Sequence, residues 1–393
     1  MSKLNDLINE LCPDSVKYVK IKDCFVRLKG TPITAGKMKE IAKDDGEIKI
    51  FAGGKTVINA YEKDISNANI IRVPAVLVQS RGLIDFIYYE KPFTFKNEMW
   101  AYTSENKVSV KFLYYILKNN SEFFRKSASG MGSLPQISLP VTEDFKIPFP
   151  PLEVQREIVR VLDNFTELTQ ELTQELTLRK KQYQYYRDKL LTFGDDAEYK
   201  TLGEIFDIRN GYTPSKSKAE YWENGTVPWF RMDDIRENGR ILSSALQKVT
   251  TEAVKNKPFS SNSIIISTSA TIGEHALITV DFMCNQRFTC LTLKKEYQHQ
   301  FSIKFLFYYC FKLDKYCMDN LKKGSFVSVD MTKFNQFTVP VPPIEEQERI
   351  VKILDKFDTL CNDLTNGIPA EIQARKKQYE YYRDKLLTFE KLK

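Results

Sequence analysis

The segment Arg179-Lys-Lys-Gln-Tyr-Gln-Tyr-Tyr-Arg-Asp-Lys-Leu-Leu-Thr-Phe193 occurs twice in this chain of 393 residues. The second copy, residues 375–389, differs at one of the 15 positions, where Glu380 replaces Gln184. Chance does not produce such a match, and an internal repeat sets the architecture of the chain that contains it. The protein therefore consists of two related halves.

Weaker similarity joins the remainder of the two halves. Residues 145–155 align with 337–347, residues 109–115 with 302–308, residues 97–100 with 285–288, and Gly30 with Gly211. Residues 1–195 and 196–393 are thus two copies of one plan. The near-identical ends predict that each copy contacts the same kind of partner. The divergent globular parts predict that each copy binds something different.

Each conserved end is predicted to be a long helix. Apolar residues recur there at spacings of three and four, which is typical of a coiled-coil seam; in the first copy they are Ile158, Val161, Phe165, Leu168, Leu172 and Leu176. A helix over residues 152–192 would be roughly 60 Å long. In the second copy, Asn366-Gly-Ile-Pro369 predicts a break. We expect the two helices to pack antiparallel; the alternative is that each packs on its own domain.

The globular parts mix strand and helix patterns. Residues 71–78 and 264–266 are predicted to be buried strands, and residues 110–117 and 303–311 short apolar helices. The predicted fold class is α+β, with two β-rich globular domains in tandem pseudo-repeat, separated by two long helices that form an antiparallel coiled coil. The predicted boundaries are 1–149, 150–195, 196–341 and 342–393.

Composition excludes several classes of protein. The N-terminus lacks the features of a signal peptide and no apolar run is long enough to span a membrane, so we expect a cytoplasmic protein. Seven dispersed cysteines and two histidines indicate neither a disulfide framework nor a metal site. The net charge of +7 is compatible with a polyanionic partner and equally with ordinary surface lysines.

These residues resemble the specificity subunits of type I restriction-modification enzymes. The resemblance covers the whole chain and rests on Pro-Pro-[Leu/Ile]-Glu-x-Gln at residues 150–155 and 342–347, and on the repeated segment that begins at Arg179 and Arg375. It implies two target recognition domains that read a bipartite DNA sequence. It also implies two methyltransferase subunits as partners, to which motor-nuclease subunits can add. The cofactors S-adenosylmethionine, ATP and Mg would belong to those partner subunits, and none to this chain.

No convincing catalytic motif is present, so we expect a non-catalytic subunit. A phosphate-binding loop ending in Gly54-Lys-Thr56 would need glycine at position 49, which is Lys49. The family's adenine methyltransferases carry Asn or Asp before Pro-Pro, whereas this chain has Phe149 and Val341. Two alternative functions remain open at this point: a protein-interaction scaffold without DNA binding, and a self-contained DNA methyltransferase.

Candidate DNA contacts are polar and basic residues on glycine-rich loops, because phosphate and base contacts use such side chains. In the first half they are Lys55, Arg72, Arg81, Ser129, Ser133 and Gln136. In the second half they are Thr213, Lys216, Trp229, Arg231, Arg287, Lys322, Lys323 and Ser325. A tryptophan such as Trp229 is more often a core residue than a stacking platform. Candidate partner contacts in the conserved ends are Gln155, Arg179, Lys180, Tyr185, Arg187, Gln347, Arg375, Lys376, Tyr381 and Arg383.

A tandem tetrapeptide lies inside the first predicted helix. Thr169-Gln-Glu-Leu172 is followed at once by Thr173-Gln-Glu-Leu176. Four helical residues rise roughly 6 Å, and one DNA base pair rises about 3.4 Å. We therefore hypothesise that the repeat sets the length of the gap in a split DNA target. The alternative is that it only fills an exposed helix.

Overall fold

The computed structural model describes residues 2–13, 15–129, 134–255, 257–322, 327–363 and 365–389. The chain divides into two compact units. The first contains Met1–Leu172 together with Ile372–Lys393, and the second contains Thr173–Glu371. The C-terminal segment therefore belongs to the same unit as the N-terminal half. The four domains predicted from the sequence are a finer division than these two units, and they stay a prediction.

The first unit begins with a mixed globular part. Its helices are α1 (Ser2–Leu11), α2 (Ile21–Cys24), α3 (Ala35–Ile41), α4 (Lys107–Asn119), α5 (Ser121–Lys126) and α6 (Leu139–Glu143). Its strands are β1 (Tyr18–Lys20), β2 (Val26–Leu28), β3 (Ile48–Phe51), β4 (Val57–Ala60), β5 (Ala75–Gln79), β6 (Asp85–Tyr89), β7 (Phe93–Phe95), β8 (Trp100–Thr103) and β9 (Lys146–Pro148). They form sheets in the orders β2-β8-β5-β6, β4-β3-β7 and β1-β9. The predicted helix within residues 110–117 is confirmed as part of α4.

The predicted strand at residues 71–78 begins later than expected. Strand β5 starts at Ala75, directly after Pro74, which has no N–H to donate to a sheet. Every residue of β5 is buried, as expected for a central strand between two neighbours. Ile71 instead forms an isolated bridge to Phe93.

The first conserved end is one continuous helix, α7 (Leu152–Leu190), of 39 residues. Pro150 and Pro151 precede it, and the Pro151 carbonyl accepts from the amides of Val154 and Gln155 at 3.0 and 3.1 Å. The length is therefore about 58 Å. Residues 152–172 of α7 belong to the first unit and residues 173–190 to the second.

The globular part of the second unit repeats the first. Its helices are α8 (Leu202–Ile205), α9 (Met232–Asn238), α10 (Ile303–Asp319) and α11 (Met331–Gln336). Its strands are β10 (Tyr199–Thr201), β11 (Phe206–Asn210), β12 (Val227–Phe230), β13 (Ile241–Leu242), β14 (Lys248–Val249), β15 (Ser263–Ser267), β16 (His275–Ile278), β17 (Met283–Cys284), β18 (Phe288–Leu293), β19 (Leu321–Lys322), β20 (Ser328–Val329) and β21 (Thr338–Pro340). The sheet order β11-β18-β15-β16 matches β2-β8-β5-β6, β14-β12-β17 matches β4-β3-β7, and β10-β21 matches β1-β9. Strand β13 adds a fifth strand to the main sheet of the second unit, and it has no counterpart among the described residues of the first unit.

The second conserved end is broken where the sequence predicts. Helix α12 (Ile344–Asn362) stops and helix α13 (Ile368–Leu386) begins after Gly367. A side chain on Gly367 would collide with the carbonyl oxygens of Thr359 and Asp363, so only glycine fits this crossing. The Asp363 carboxylate accepts from the amides of Thr365 and Asn366 at 2.7 and 3.2 Å. The turn between the helices is thereby stabilised.

The conserved helices pair inside each unit. In the first unit, Phe165 of α7 stacks on Tyr382 of α13 with ring centroids 5.4 Å apart. The Tyr18 hydroxyl donates to the Phe389 carbonyl at 3.0 Å, and Tyr18 lies opposite Pro148 in the β1–β9 pair. Residue 148, just before α7, lies near residue 389, and residue 165 of α7 lies against residue 382 of α13. The two helices therefore run antiparallel.

The second unit makes the same contacts with the other copy of the repeat. Tyr183 and Tyr186 of α7 stack on Phe357 of α12, with centroids 6.1 and 5.6 Å apart. The Tyr199 hydroxyl donates to the Phe193 carbonyl at 3.3 Å, as Tyr18 does to Phe389 in the first unit. Residues 375–389 therefore occupy in the first unit the place that residues 179–193 occupy in the second.

Matched polar contacts hold each globular part on its helix. In the second unit, Asp355 of α12 accepts from the Tyr308 hydroxyl at 2.7 Å and from Lys304 Nζ at 2.7 Å. In the first unit, Asp163 of α7 accepts from the Tyr115 hydroxyl and lies 2.9 Å from Lys111 Nζ. In each unit, one aspartate of a conserved helix thus binds one tyrosine and one lysine of the helix α4 or α10, and this contact fixes the globular part on the conserved helix.

Candidate nucleic-acid interface

A polar cleft of about 690 Å³ opens on the globular part of the second unit. Its lining residues are Thr213, Lys216, Ala219, Trp222, Glu223, Trp229, Arg231, Met232, Asp233, Arg236, Gln247, Thr271, Asn285, Gln286 and Arg287. Five of them, Thr213, Lys216, Trp229, Arg231 and Arg287, are predicted DNA contacts. Residues far apart in the sequence thus meet at one surface.

An aromatic pair forms the floor of the cleft. Trp222 and Trp229 meet edge to face with centroids 5.0 Å apart. Trp229 is only 4% exposed, and its indole N–H donates to the Tyr212 carbonyl at 3.1 Å. Trp229 therefore acts as a core residue beneath the cleft, and its buried ring offers no open face for stacking on a base.

The cleft carries more positive than negative charge. Lys216, Arg231, Arg236 and Arg287 are basic, whereas Glu223 and Asp233 are the acidic residues of the lining. Arg231 lies 3.4 Å from Asp233, and its Nε atom is buried without a hydrogen-bond partner. Within the described part of the chain, Lys216, Arg236 and Arg287 are exposed and form no ion pair. These three cations are available to a polyanion.

Arg287 lies in a tight turn between β17 and β18. The Asn285 amide donates to the Phe230 carbonyl at 3.1 Å, and the Phe288 amide donates to the Asn285 carbonyl at 3.1 Å. The Asn285 side-chain oxygen accepts from the Arg287 amide at 3.0 Å. The Arg287 carbonyl accepts from the Thr268 amide at 3.0 Å. The backbone of Arg287 is held on both sides, and its side chain is free to extend outward.

The first unit has a matching turn between β7 and β8. The Lys96 amide donates to the Phe51 carbonyl at 3.0 Å, and the Met99 amide donates to the Lys96 carbonyl at 2.9 Å. The Ser80 hydroxyl donates to the Glu98 carbonyl at 2.6 Å. The Glu98 carboxylate lies 3.0 Å from Lys96 Nζ.

These hydrogen bonds correct the alignment of the two halves by one residue. Lys96 corresponds to Asn285, so Glu98 corresponds to Arg287. The sequence comparison instead placed Asn97 opposite Asn285. Backbone pairing decides the correspondence, and the shared asparagine misled the comparison because one identical side chain carries little information about register.

Loop residues of the first unit also converge near the end of β5. Arg81 and Ser129 each form an isolated β-bridge with Gln136. The Gln136 amide donates to the Ser129 carbonyl at 3.0 Å, and the Ser129 amide donates to the Gln136 carbonyl at 2.9 Å. Gln79 donates to the Gly54 carbonyl at 2.6 Å, which holds the loop carrying Lys55 beside this cluster. Four of the predicted DNA contacts, Lys55, Arg81, Ser129 and Gln136, are therefore brought together and exposed.

Other predicted DNA contacts lie elsewhere. The Arg72 guanidinium is bound to the Glu62 carboxylate at 2.5 Å, so its charge is paired. Lys322 is exposed on β19 and lies 3.3 Å from Asp330. Ser133, Lys323 and Ser325 lie outside the described residues.

Some lining residues of the cleft escaped sequence analysis. Arg236, Gln247, Thr271, Asn285 and Gln286 have ordinary sequence surroundings. The sequence offers a weak signal for Asn285 and Gln286, which lie in the aligned segment 285–288 beside the candidate Arg287. Gln247 reaches the cleft because its carbonyl accepts from the Trp229 amide of β12 at 3.0 Å, and Arg236 lies on α9, which follows β12 directly.

The structure corrects two predicted partner contacts. Gln155 and Gln347 are 2% and 0% exposed. Gln347 donates to the Pro342 and Gln300 carbonyls at 2.8 Å each and accepts from the Ser302 amide at 2.9 Å. Gln155 donates to the Pro150 carbonyl at 2.7 Å. Both glutamines face inward and fix the start of a conserved helix, so neither side chain presents a surface to a partner.

The predicted partner-binding arginines are partly committed to internal contacts. Arg187 lies over the Phe311 ring at 4.2 Å, and its side chain is only 16% exposed. Arg383 lies 5.8 Å from the Tyr379 ring and 2.7 Å from Asp384. Arg179 interacts with Glu175 at 3.4 Å. Arg375 interacts with Gln378 at 3.3 Å.

The remaining predicted partner residues share one exposed pattern in both copies. Tyr185 and Tyr381 are 61% and 63% exposed, and the exposed Lys180 and Lys376 precede them by about one and a half helical turns. Each exposed tyrosine meets the next tyrosine along the helix edge to face, at 5.4 and 5.2 Å. An exposed aromatic ring held by its neighbour in two identical settings is a feature of protein-binding surfaces.

A buried ionisable pair lies in the core of the second unit. His275 Nδ1 is 2.7 Å from Asp314 Oδ2, and the Arg240 guanidinium lies 3.6 Å from the same oxygen. Burial lowers the pKa of His275 below its ordinary value, although Asp314 opposes the shift. The pair joins β16 to α10 and lies among Phe307 and Phe311. Its role is structural.

Two further properties hold for the described residues. No helix among them is both long and apolar enough to cross a membrane. No group of three or more of their His, Cys, Asp or Glu side chains is arranged to hold a metal ion.

Comparison with known proteins gives the class. A family model described as the type I restriction modification DNA specificity domain matches residues 13–178 and again residues 194–374. The chain is 39% identical over 371 residues to the specificity subunit of the Escherichia coli type I restriction enzyme EcoR124I/EcoR124II, covering 88% of each chain. It is 56% identical over 212 residues to the specificity subunit of type I restriction enzyme EcoprrI from Escherichia coli, which spans 52% of this chain and 53% of that relative.

Solved structures share the fold. The S subunit of a type I restriction-modification system from M. genitalium matches with a TM-score of 0.61 at 17% identity, covering 95% of this chain and 97% of that chain. A chain from work on the assembly and conformational transition of the type I system gives a TM-score of 0.59 at 16% identity, covering 95% and 98%. The architecture is thus that of two tandem DNA specificity domains with conserved helices. The chain belongs to the family of type I restriction-modification specificity subunits, which are non-catalytic.

Proposed function

We propose that this chain reads a bipartite double-stranded DNA target, with one half-site contacted by the globular part of each unit. The observation that carries the proposal is the cleft of the second unit, where Lys216, Arg236 and Arg287 form no ion pair with any described residue and lie beside the amide side chains of Gln247 and Gln286. Cations bind phosphates, and arginine and amide side chains read base edges. In the first unit, the loop cluster of Lys55, Arg81, Ser129 and Gln136 near the end of β5 contacts the other half-site.

The proposed partners are two methyltransferase subunits, to which motor-nuclease subunits add. Exposed Tyr185 and Tyr381, each beside a lysine-rich turn of helix, provide the same surface once in each unit. A surface that occurs twice suits two copies of one partner. S-adenosylmethionine, ATP and Mg are assigned to those subunits, and this chain supplies specificity within the complex. The four-part domain division, with boundaries near 150, 196 and 342, belongs to the same proposal.

Family membership favours this function over a scaffold without DNA binding and over a self-contained methyltransferase. A scaffold would not need a cleft with an excess of unpaired cations. A methyltransferase would need a cofactor motif, which the sequence lacks. The proposal therefore places the chemistry in partner subunits.

The decisive test is to coexpress the chain with its methyltransferase subunit and to map methylated adenines in the host genome by single-molecule sequencing. We expect one split motif that disappears when the chain is omitted. A soluble, assembled complex that methylates no motif would overturn the proposal and favour the scaffold.

Binding measurements on the same complex test the cleft directly. Arg236→Ala should weaken binding to all sequences and reduce the slope of log K against log salt by about 1, because one phosphate contact is lost. Lys295→Ala is the matched control, since Lys295 is exposed beyond the opposite end of β18 from Arg287. If both variants and the unmodified complex show the same slope of log K against log salt, Arg236 contacts no phosphate and the proposed role of the cleft is wrong.

A further inference from the structure

We propose that the corresponding turn position of each unit reads one base, with Arg287 selecting guanine in one half-site and Glu98 selecting cytosine in the other. The inference rests on the proposed function and deepens it. Backbone hydrogen bonds place Glu98 and Arg287 at the same position of the repeated fold. The two side chains carry opposite charge, so the two copies present opposite hydrogen-bonding groups from one scaffold.

The setting of Arg287 suits base reading. Its amide donates to the Asn285 side chain and its carbonyl accepts from the Thr268 amide, at 3.0 Å each, so its backbone is held between the segments that follow β17 and β15. A contact that must distinguish bases needs such a rigid support. The guanidinium is exposed and lines the cleft. Its parallel N–H donors match the O6 and N7 acceptors of guanine, which is the commonest specific contact between arginine and DNA.

The neighbours of Arg287 separate its role from that of a phosphate clamp. Gln286 is bound through its side-chain oxygen by the Thr213 hydroxyl, which orients the amide beside Arg287. Arg236 instead projects from helix α9 on another wall of the cleft. A phosphate accepts a cation from many directions, whereas a base edge requires a side chain that starts from a defined position, which the bonded backbone of Arg287 supplies.

The carboxylate of Glu98 needs a different explanation from a phosphate contact, because phosphates repel it. Glu98 lies in the loop cluster of the first unit, where a side chain on Gly53 would approach both its Oε1 and the Arg81 carbonyl. Lys96 Nζ at 3.0 Å offsets its charge and orients it. Among base edges of the major groove, the cytosine N4 amino group is the donor that a carboxylate accepts without facing an adjacent acceptor on the same base.

The test uses the complete coexpressed complex and the methylated-adenine map of each variant. Arg287→Ala should relax one position that is guanine in the unmodified motif, lowering discrimination there about 5- to 150-fold, and leave the other half-site unchanged. Arg287→Lys should keep guanine with weaker discrimination, because lysine still donates but not through a planar fork. Glu98→Gln should change one cytosine of the other half-site towards adenine, since glutamine pairs with adenine N6 and N7.

Arg236→Ala is the matched control, and it should lower methylation at all sites equally without altering the motif. Should Arg287→Ala abolish methylation altogether, the lysine and glutamine variants still decide the inference through the base each prefers. An unmodified complex with a clear motif whose positions do not change in any Arg287 or Glu98 variant overturns this inference alone. An unmodified complex without a motif overturns the proposed function instead.

Discussion

Deleting one tetrapeptide, Thr173-Gln-Glu-Leu176, should shorten the gap between the two half-sites. The tandem repeat lies within continuous helix α7, and the boundary between the two compact units falls between its two copies, after Leu172. Four residues remove about 6 Å of rise and turn the following helix by about 40°, because an α-helix has 3.6 residues per turn. The rise corresponds to nearly two base pairs at about 3.4 Å each. The rotation corresponds to about one base pair at 10–10.5 per turn.

The expected result is a gap shorter by one or two base pairs with both half-sites unchanged, measured from the methylated-adenine motif of the coexpressed complex. Insertion of a third tetrapeptide should lengthen the gap by the same amount. A control replaces Gln174 and Glu175 by alanine, which keeps the length of the helix and should leave the gap unaltered. The reasoning is refuted if the deletion variant is folded and active and retains the original gap.

Three further predictions concern the conserved helices and the core. Combined Tyr185→Ala and Tyr381→Ala should weaken assembly with the methyltransferase subunit by about 2 kcal/mol or more, because truncating exposed aromatic anchors typically does so; titration of the purified subunits measures this. Gln347→Ala should lower the free energy of unfolding by about 1–3 kcal/mol, since two carbonyls and an amide lose their partner in a buried site, and urea denaturation reports it. Burial lowers the pKa of His275, so as the pH falls the unfolded chain protonates this histidine before the folded chain does. The free energy of unfolding should therefore fall below about pH 6.5 and be unaffected by His275 above it. Denaturation at about pH 5.5 and about pH 7.5 tests the direction of this change.

Each of these predictions has a control within the chain. Leu178, 65% exposed on the same helix but not repeated in the second copy, should tolerate alanine without loss of assembly. Glu345→Ala, exposed two residues before Gln347, should leave stability nearly unchanged. His275→Gln should remove most of the pH difference, whereas His299→Gln, at an exposed site, should keep it. Equal behaviour of a variant and its control contradicts the corresponding argument.

Much of the architecture could be predicted from local patterns. The repeat at residues 179–193 and 375–389 establishes two copies, and the seam of α7 establishes a long helix. Gly367 and Pro369 mark the break between α12 and α13 because glycine and proline act on the backbone within a few residues. These signals are local in sequence and need no knowledge of packing.

The candidate sites were only partly predictable. Loop position and residue type pointed to Thr213, Lys216, Arg231 and Arg287, which the structure gathers in one cleft. The same reasoning could not separate Arg72, whose charge is bound by Glu62. Similarity between copies selected Gln155 and Gln347 as partner contacts, although both are buried. A residue can be identical in the two copies because it makes the same buried hydrogen bonds or because it binds the same partner. Identity between the copies therefore does not show which of these roles a residue has.

The sequence by itself determined the duplication, the helices and the family resemblance, because each depends on residue identity and on spacing along the chain. Tertiary structure alone decided that residues 375–389 complete the first unit, since the Tyr18–Phe389 bond joins residues 371 positions apart. It alone set Glu98 opposite Arg287 in the two copies, because register depends on which carbonyl each amide meets. It alone showed that Gln155 and Gln347 are buried, because burial depends on the surfaces that fold against a helix as well as on the pattern along it.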